Sequence, residues 1–518
     1  MNTCEVKNPI TLAVNIPADG LFLAILNKAN GDFSKETCTR IIKRYIDKYL
    51  EANPDMIMLN VCYRRCLTPS NVFDSYLYNI EIDKNGQPLK KLSPVADGVS
   101  KYFSSFFSCA RILLQNGIDI YKILTEYIRQ KGCKVYLSVR MNDGHYTDNP
   151  AINSNFALKD NSKYTINSDG KELDFSQKEV RDLFYDYIKE LLENYQVDGI
   201  ELDWLRYPKV LPVECRSDFK ILNNYMNTIR RLLDGYNHEL SLAVRVLPNE
   251  KDNLQNGVDV CQWIDDGSVD VVTIENFYIP TNFEMPISSW RQNIQKRNTA
   301  NKKYVFLCGS DWGVSCMRGY NIAMTPALVR GFVSNCLDNG ADGVYLFNFF
   351  EENDTSSFEF VADSKETGYL KNCFSERIKA AKELYTLPKR CVHIGDSNNR
   401  YPIRLNAGES YTFSHPIKKP FDICEIVIGC DADVSLSVFI NENGKKISLQ
   451  NIPALKGFEY IPETQIGKES EFIYAISQAA PYVKTAILSL NEDGPVEITI
   501  KNNTLQPVNL LWLELSFE

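Results

Sequence analysis

The densest cluster of reactive side chains in this 518-residue sequence is VDGIELDWLRYP, residues 197–208. If its first half is a β-strand, alternation puts Glu201 and Asp203 on one face and Ile200 and Leu202 on the other. In a closed barrel the apolar pair would face covering helices, and the two acids would point inward near the rim. Inward carboxylates are costly unless they are paired or catalytic. Arg140 in SVRMND and Arg245 in AVRVLP close the apolar runs on either side and can pair with them. Glu201, one step deeper, fits a buried salt-bridge layer, whereas Asp203, beside Trp204, Arg206 and Tyr207, fits a working site. Other apolar runs end in matching groups: Glu275 and Asn276 in VVTIENFY, Asp311 and Trp312 in CGSDWG, and Asn348 with Glu351 and Glu352 in LFNFFEEN. Acids at several strand ends, interleaved with aromatic rings, suit glycoside hydrolysis. One carboxylic acid protonates the leaving oxygen, a carboxylate attacks the anomeric carbon or activates water, and aromatic faces stack on sugar rings.

The expected catalytic pair is Asp203 and Glu275, on strands four and six, taken to face each other across a small barrel's mouth. Glu275, between apolar neighbours Ile274 and Phe277, suits the general acid, because desolvation raises a carboxyl pKa. Asp203, near Arg206 and Arg140, would be nucleophile or base. Asp203 with Asp311 is the competing pair. Arg140, Glu201, Trp204, Arg206, Tyr207, Arg245, Asp311, Trp312 and Asn348 are expected to contact substrate. Carboxyl groups about 5–5.5 Å apart would retain anomeric configuration, and about 6.5–9.5 Å would invert it. No cofactor or metal is expected: the four histidines lie in distant segments and no CxxC occurs, although carboxylates holding a divalent cation are a lesser alternative. Two other readings stay open. A non-catalytic carbohydrate-binding barrel would survive if neither acid mattered to hydrolysis, and a metal-assisted amide or ester hydrolase would lose activity to a chelator. The glycosidase reading would be sunk by a structure in which Asp203 and Glu275 are both buried in ion pairs with no open cleft above them.

The elements that must position these groups are eight apolar runs: ITLAVN, MIMLNV, KVYLSVR, GIELDW, LSLAVRV, VDVVTIENF, YVFLCGSDW and GVYLFNFF, starting at residues 10, 56, 134, 199, 240, 269, 304 and 343. Amphipathic stretches with apolar spacings of three and four alternate with them. Ser176 and Thr325 are expected N-caps, Pro326 a first-turn residue, and Gly132 and Gly340 helix stops. Eight β/α units predict an α/β fold, a (β/α)8 TIM barrel over residues 1–388; an open doubly wound sheet lacks its GxGxxG after the first strand. Long connections follow strands two (about 64–117) and three (about 141–177), on the face where such barrels build their sites. From residue 389 short alternating segments with turns such as Asn443-Gly444 predict a C-terminal all-β sandwich, 389–518, expected to be a stabilising appendage, with a carbohydrate-binding module as the alternative.

The stretch LDFSQKEVRDLFYDYIKELLENYQVDGIELDWLRYP, residues 173–208, resembles the hallmark segment of the family-10-like glycosyl hydrolases of the domain-of-unknown-function-187 type. Asp203 falls on that family's strand-end Asp, and Tyr207-Pro208 on its closing Tyr-Pro. Glu201 and Trp204 depart from the usual form, where many relatives carry His and a second Asp. The resemblance implies a barrel with glycosidase-like chemistry and leaves the sugar unnamed.

With 57 Lys+Arg against 66 Asp+Glu, the net charge of −9 argues against a nucleic-acid partner, whose affinity comes from basic patches. No apolar run is long enough to cross a membrane, and the first ten residues lack an apolar signal core. Fifteen scattered cysteines read as free, mostly buried thiols, which points to a cytoplasmic protein acting on oligosaccharides or small glycosides. A homo-oligomer is compatible with this composition.

Overall fold

The structure, a computed structural model, describes residues 11–76, 78–82, 88–92, 101–145, 161–167, 170–277, 281–311, 313–315, 321–348, 378–382, 389–394, 403–417, 423–440, 445–447, 450–452, 482–489 and 494–517, with a few isolated positions between them. Eight parallel strands close into a barrel in chain order: β1 (Thr11–Ile16), β2 (Met56–Cys62), β3 (Lys134–Arg140), β4 (Gly199–Asp203), β5 (Ser241–Val246), β6 (Val271–Ile274), β7 (Val305–Ser310) and β8 (Gly343–Leu346), which returns to pair with β1. All eight apolar runs read from the sequence are these strands, and closure excludes the open sheet. Their near-continuous apolar character follows from burial on both faces. Ala13, Met56, Met58, Tyr136, Ala243, Val271, Leu307, Tyr345 and Phe347 fill the interior. Gly199 makes room for one of them, since a side chain there would collide with the Tyr136 ring and the Ser241 carbonyl.

A repeated device ties the strands in pairs. The aspartate immediately before each even-numbered strand accepts a main-chain N–H near the start of the preceding odd strand. Asp55 takes Leu12 N at 2.8 Å, Asp198 takes Val135 N at 2.9 Å, Asp270 takes Leu242 N at 2.8 Å and Asp342 takes Phe306 N at 2.8 Å. Arginines steady three of the four: Arg129 lies 3.5 Å from Asp198, Arg230 2.9 Å from Asp270 and Arg291 2.7 Å from Asp342. These contacts occupy the strand N-terminal ends, where barrel residues serve stability, and leave the C-terminal ends for chemistry.

Helix punctuation follows the sequence with one exception. Thr325 caps the helix Pro326–Asp338 through its side chain and Pro326 sits in the first turn. Gly132 and Gly340 take positive φ past their helices. Ser176, however, is not a cap: the helix Lys178–Asn194 begins after Gln177, and Asp174 organises the approach by accepting from Ser176 N at 2.8 Å and Gln177 Nε2 at 3.0 Å.

By internal packing the chain separates into two compact units, one of residues 1–278, 286–309 and 342–363, the other of 279–285, 310–341 and 364–518. From residue 389 on, ten strands are present among the described residues: β9 (Lys389–Ile394), β10 (Ile403–Leu405), β11 (Ser410–Ile417), β12 (Ile423–Cys430), β13 (Leu436–Ile440), β14 (Lys445–Ile447), β15 (Gln450–Ile452), β16 (Tyr482–Ser489), β17 (Gly494–Asn502) and β18 (Val508–Phe517). One antiparallel sheet runs β9-β18-β12-β16-β15 with β10 on β18, and the other runs β11-β17-β13-β14. Ile426, Ile428, Leu513 and Leu515 of the first share one core with Phe413, Val438, Ile498 and Ile500 of the second, as in a sandwich. The helix Pro326–Asp338 packs with these strands: the Arg390 carbonyl fills the place of a Gly331 side chain, and Lys389 Nζ donates to Ser334 Oγ at 3.0 Å.

Twelve cysteines among the described residues are free, and all but Cys215 are buried. Burial pushes the Cys62 thiol up to about 12, away from reactivity. No helix among the described residues is long and apolar enough to cross a membrane.

Candidate active site

Strand register sets the core of the site. Arg140, Asp203 and Arg245 stand side by side on β3, β4 and β5, giving one inward row of alternating charge. Glu275 follows the end of β6, one pleat above Thr273, the register partner of Arg245. Arg245 Nη1 donates to Asp203 Oδ2 and Arg245 Nε to Glu275 Oε2, each at 2.8 Å. Asp203 Oδ1 also accepts from Leu205 N at 3.1 Å. Asp203, Glu275 and Arg245 are 1%, 2% and 1% exposed, so the triad is as buried as the hydrophobic core.

This corrects two expectations. The hydrogen-bonded counter-charge of Asp203 is Arg245, not Arg206 or Arg140: Arg140 and Arg245 are equally in register with Asp203, but Arg140 is held by Asp143. Strands four and six do not face each other across the mouth. They flank β5, so its arginine is held between the two acids.

The carboxyl of Glu275 lies over Gly309 of β7, and any side chain there would strike it. Gly309→Ala is therefore expected to force Glu275 off Arg245, costing about 1–3 kcal/mol in the manner of an overpacked core. Any activity that depends on Glu275 should fall with it, measurable as a joint loss of kcat and denaturation midpoint.

Burial raises the Glu275 carboxyl above its ordinary value, outweighing the pull of Arg245. Its Oε1 atom is buried without a hydrogen-bond partner. Glu201 lies one pleat deeper, fully buried, and accepts from the Tyr345 hydroxyl at 2.9 Å. Burial, then repulsion from Asp203, pushes its pKa up to about 7. A raised folded-state pKa means the unfolded chain ionises first. Glu201 therefore costs nothing below about pH 4, and its cost grows as pH rises from the unfolded value to the folded one. Glu201→Gln should stabilise the protein by up to a few kcal/mol at pH 8 and leave it unchanged at pH 4, as read by denaturant titration at both pH values.

Further charged side chains surround this core. Arg140 Nη1 donates to Asp143 Oδ2 at 2.8 Å, and His145 Nδ1 lies 2.6 Å from Asp143 Oδ1. Burial alone would raise Asp143, but His145, Arg140 and Arg206 together hold it well below the carboxylate range. Arg206 reaches His145 Nε2 at 3.5 Å. Tyr207, in the left-handed region at φ 54°, sets its ring edge-on to His145 at 5.2 Å and to Phe277 at 5.8 Å. Phe277 is exposed, so this trio is an aromatic rim suited to a sugar face. The guanidinium carbons of Arg245, Arg206 and Arg140 lie 3.7, 5.4 and 5.9 Å from the centre of the Phe347 ring.

One expected substrate contact stands elsewhere. Trp204 is buried against Phe175, Tyr225 and Trp263 at 5.1–6.3 Å, outside the barrel wall, and offers no face to a sugar. Asp311 belongs to the second compact unit, where its carbonyl accepts from Thr281 Oγ1 at 3.0 Å. Asn348 is half-buried at φ 53°. Trp312, Glu351 and Glu352 lie outside the described residues. Asp143, His145 and Phe347 were not anticipated. Phe347 had a signal, since it continues the alternation of Tyr345 on β8, whereas the two loop residues had none beyond following Arg140.

The two long connections are tied to each other. Arg64 Nε donates to Asn153 Oδ1 and Arg65 Nε to the Asn153 carbonyl, each at 2.9 Å. Asn142 Nδ2 donates to the carbonyls of Tyr207 and Lys209 at 3.0 Å and its Oδ1 accepts from Leu173 N at 2.8 Å, fixing the segment after β4. Among the described residues no group of three or more His, Cys, Asp or Glu is arranged to hold a metal ion.

No family model and no curated protein matches the chain. Among solved structures it is similar to α-L-fucosidase isoenzyme 1 from Paenibacillus thiaminolyticus, at 13% identity, covering 96% of this chain and 97% of that one, with a TM-score of 0.37. It is also similar to the endo-β-1,4-mannanase from Thermotoga petrophila, at 10% identity, 94% and 93% coverage and a TM-score of 0.44. A third is the PgaB (BpsB) glycoside hydrolase domain from Bordetella bronchiseptica, at 12% identity, 71% and 99% coverage and a TM-score of 0.38. These neighbours are glycoside hydrolases. The barrel assignment itself rests on the strand pairing of this chain.

Proposed function

We propose that the chain is a glycoside hydrolase in which Asp203 and Glu275 flank one glycosidic bond at the C-terminal mouth of the barrel. The observation that carries this reading is a pair of inward carboxylates on either side of β5, both gripping Arg245, with only Glu275 keeping an oxygen without a partner. Burial favours the protonated form of Glu275, which suits it to give a proton to the leaving oxygen as the C–O bond breaks. Asp203 either attacks the anomeric carbon or draws a proton from the water that does. Arg245 fixes both carboxyls in place, and Tyr207 and Phe277 offer rings to the sugar. The chemistry needs no cofactor.

A second reading, a non-catalytic carbohydrate-binding barrel, is favoured by the depth of the triad, because both acids are already engaged by one guanidinium. A panel of aryl glycosides and oligosaccharides assayed with the wild-type chain, Asp203→Asn and Glu275→Gln separates the two. Hydrolysis lost in both variants and untouched by EDTA supports the enzyme. Binding of a sugar without turnover, unaffected by either substitution, supports the second reading, and loss of hydrolysis in EDTA would point to a metal-assisted hydrolase.

A further inference from the structure

Three arginines converge on Phe347, and two have carboxylate partners. Arg245 holds Asp203 and Glu275, and Arg140 holds Asp143 at 2.8 Å. Arg206 differs. It is 8% exposed and, among the described residues, makes no salt bridge to a carboxylate and one polar contact, His145 Nε2 at 3.5 Å, while its Nε has no hydrogen-bond partner. Its guanidinium lies 5.4 Å from the Phe347 ring centre, and its charge acts on both Asp203 and Glu275. A buried guanidinium whose neighbouring acids, Asp143 and Asp203, are bonded to other arginines is costly, and its Nε–H has no partner while its other N–H groups meet only His145. Those groups form a planar fork that matches a carboxylate or sulfate. The electrostatics agree: burial and the nearby Arg140 and Arg245 destabilise the Arg206 charge, with Asp143 and Asp203 offsetting this only in part. An anion arriving next to Arg206 would relieve that repulsion.

We propose that the glycan this barrel takes is acidic, and that Arg206 receives the carboxylate or sulfate of the sugar unit held at the mouth. The inference rests on the glycosidase reading for its substrate class, but its test is one of binding. Calorimetric titration at low salt would compare methyl glucuronide, methyl galacturonide and glucose 6-sulfate with the neutral methyl glucoside and methyl galactoside. The wild type should bind an acidic probe roughly ten- to a hundred-fold more tightly than its neutral counterpart. The uronide and sulfate arms tell the two anion sources apart. Arg206→Met should abolish the preference and Arg206→Lys should keep part of it, because a point charge replaces a fork. A wild type without preference for acidic probes, or an Arg206→Met protein that retains it, overturns the proposal. If Arg206→Met does not fold, the acidic-versus-neutral comparison on the wild type decides alone. Arg206-dependent binding of acidic sugars with no glycoside cleaved would leave the inference standing and remove the hydrolase reading. Cleavage of neutral glycosides unaffected by Arg206→Met would do the reverse.

Discussion

Glu275→Gln should lower kcat on a glycoside with a poor leaving group by about 10²–10⁴-fold, the usual share of general acid catalysis. KM should change little, because Gln preserves the shape of the group over Gly309 and its amide oxygen can still accept from Arg245 Nε. The pH profile separates this role from simple disruption. As a general acid, Glu275 must be protonated, so wild-type activity should fall as pH rises through its raised pKa. The substituted enzyme should lose that alkaline limb. Leaving-group dependence gives a second signature: a nitrophenyl glycoside, whose oxygen departs without a proton, should suffer far less than an alkyl glycoside. Asp203→Asn should cost both substrates alike, since its carboxylate acts on the anomeric carbon or on water in either case. If Glu275→Gln slows activated and unactivated glycosides equally and leaves the pH limb in place, Glu275 is not the acid. The deeper Glu201, whose pKa is about 7, would then be the group to substitute next.

What the sequence carried and what it did not follow from one physical difference. Strand identity depends on local apolar runs, and all eight were readable because a parallel barrel buries both faces of every strand. Period-two alternation also placed Glu201 and Asp203 inward correctly. The same rule, applied one residue further, puts Trp204 on the side of Leu202, which is where it packs; its aromatic character had suggested a sugar platform instead. The four aspartates ahead of the even strands form a repeat in the sequence, in PDMIM, VDGIE, VDVVT and ADGVY, but the repeat does not say which main-chain N–H each one takes. Pairing was not legible. Either Arg140 or Arg245 could reach Asp203, and the choice is set by Asp143, which lies in the loop after β3 and occupies Arg140. Nothing periodic announces Asp143 or His145, because a loop is held by its individual hydrogen bonds and not by a repeated face.

Arg245→Met should be the most destabilising single change at the site. It leaves two buried carboxyls without their shared cation, a loss of about 3–5 kcal/mol for a broken buried pair. The deficit should depend on pH. With the cation gone, the acids can remain buried only by taking up protons, so their folded-state pKa values rise further above the unfolded ones. Stability of the variant should then be closest to wild type near pH 4 and fall increasingly behind as pH rises, visible in denaturant midpoints at pH 4, 6 and 8. The triple variant Asp203→Asn, Glu275→Gln, Arg245→Met decides why the triad exists. Buried ion pairs replaced together by uncharged groups are often neutral or stabilising, so the triple variant should recover most of the lost stability at neutral pH while remaining inactive. That outcome would mean the barrel does not need these charges to fold, and a device kept at the site where strand ends converge is kept for chemistry. A triple variant no more stable than Arg245→Met alone would mean the reverse: the triad would then be part of the barrel's structural core, and Arg206, Tyr207 and Phe277 would define a binding surface above it.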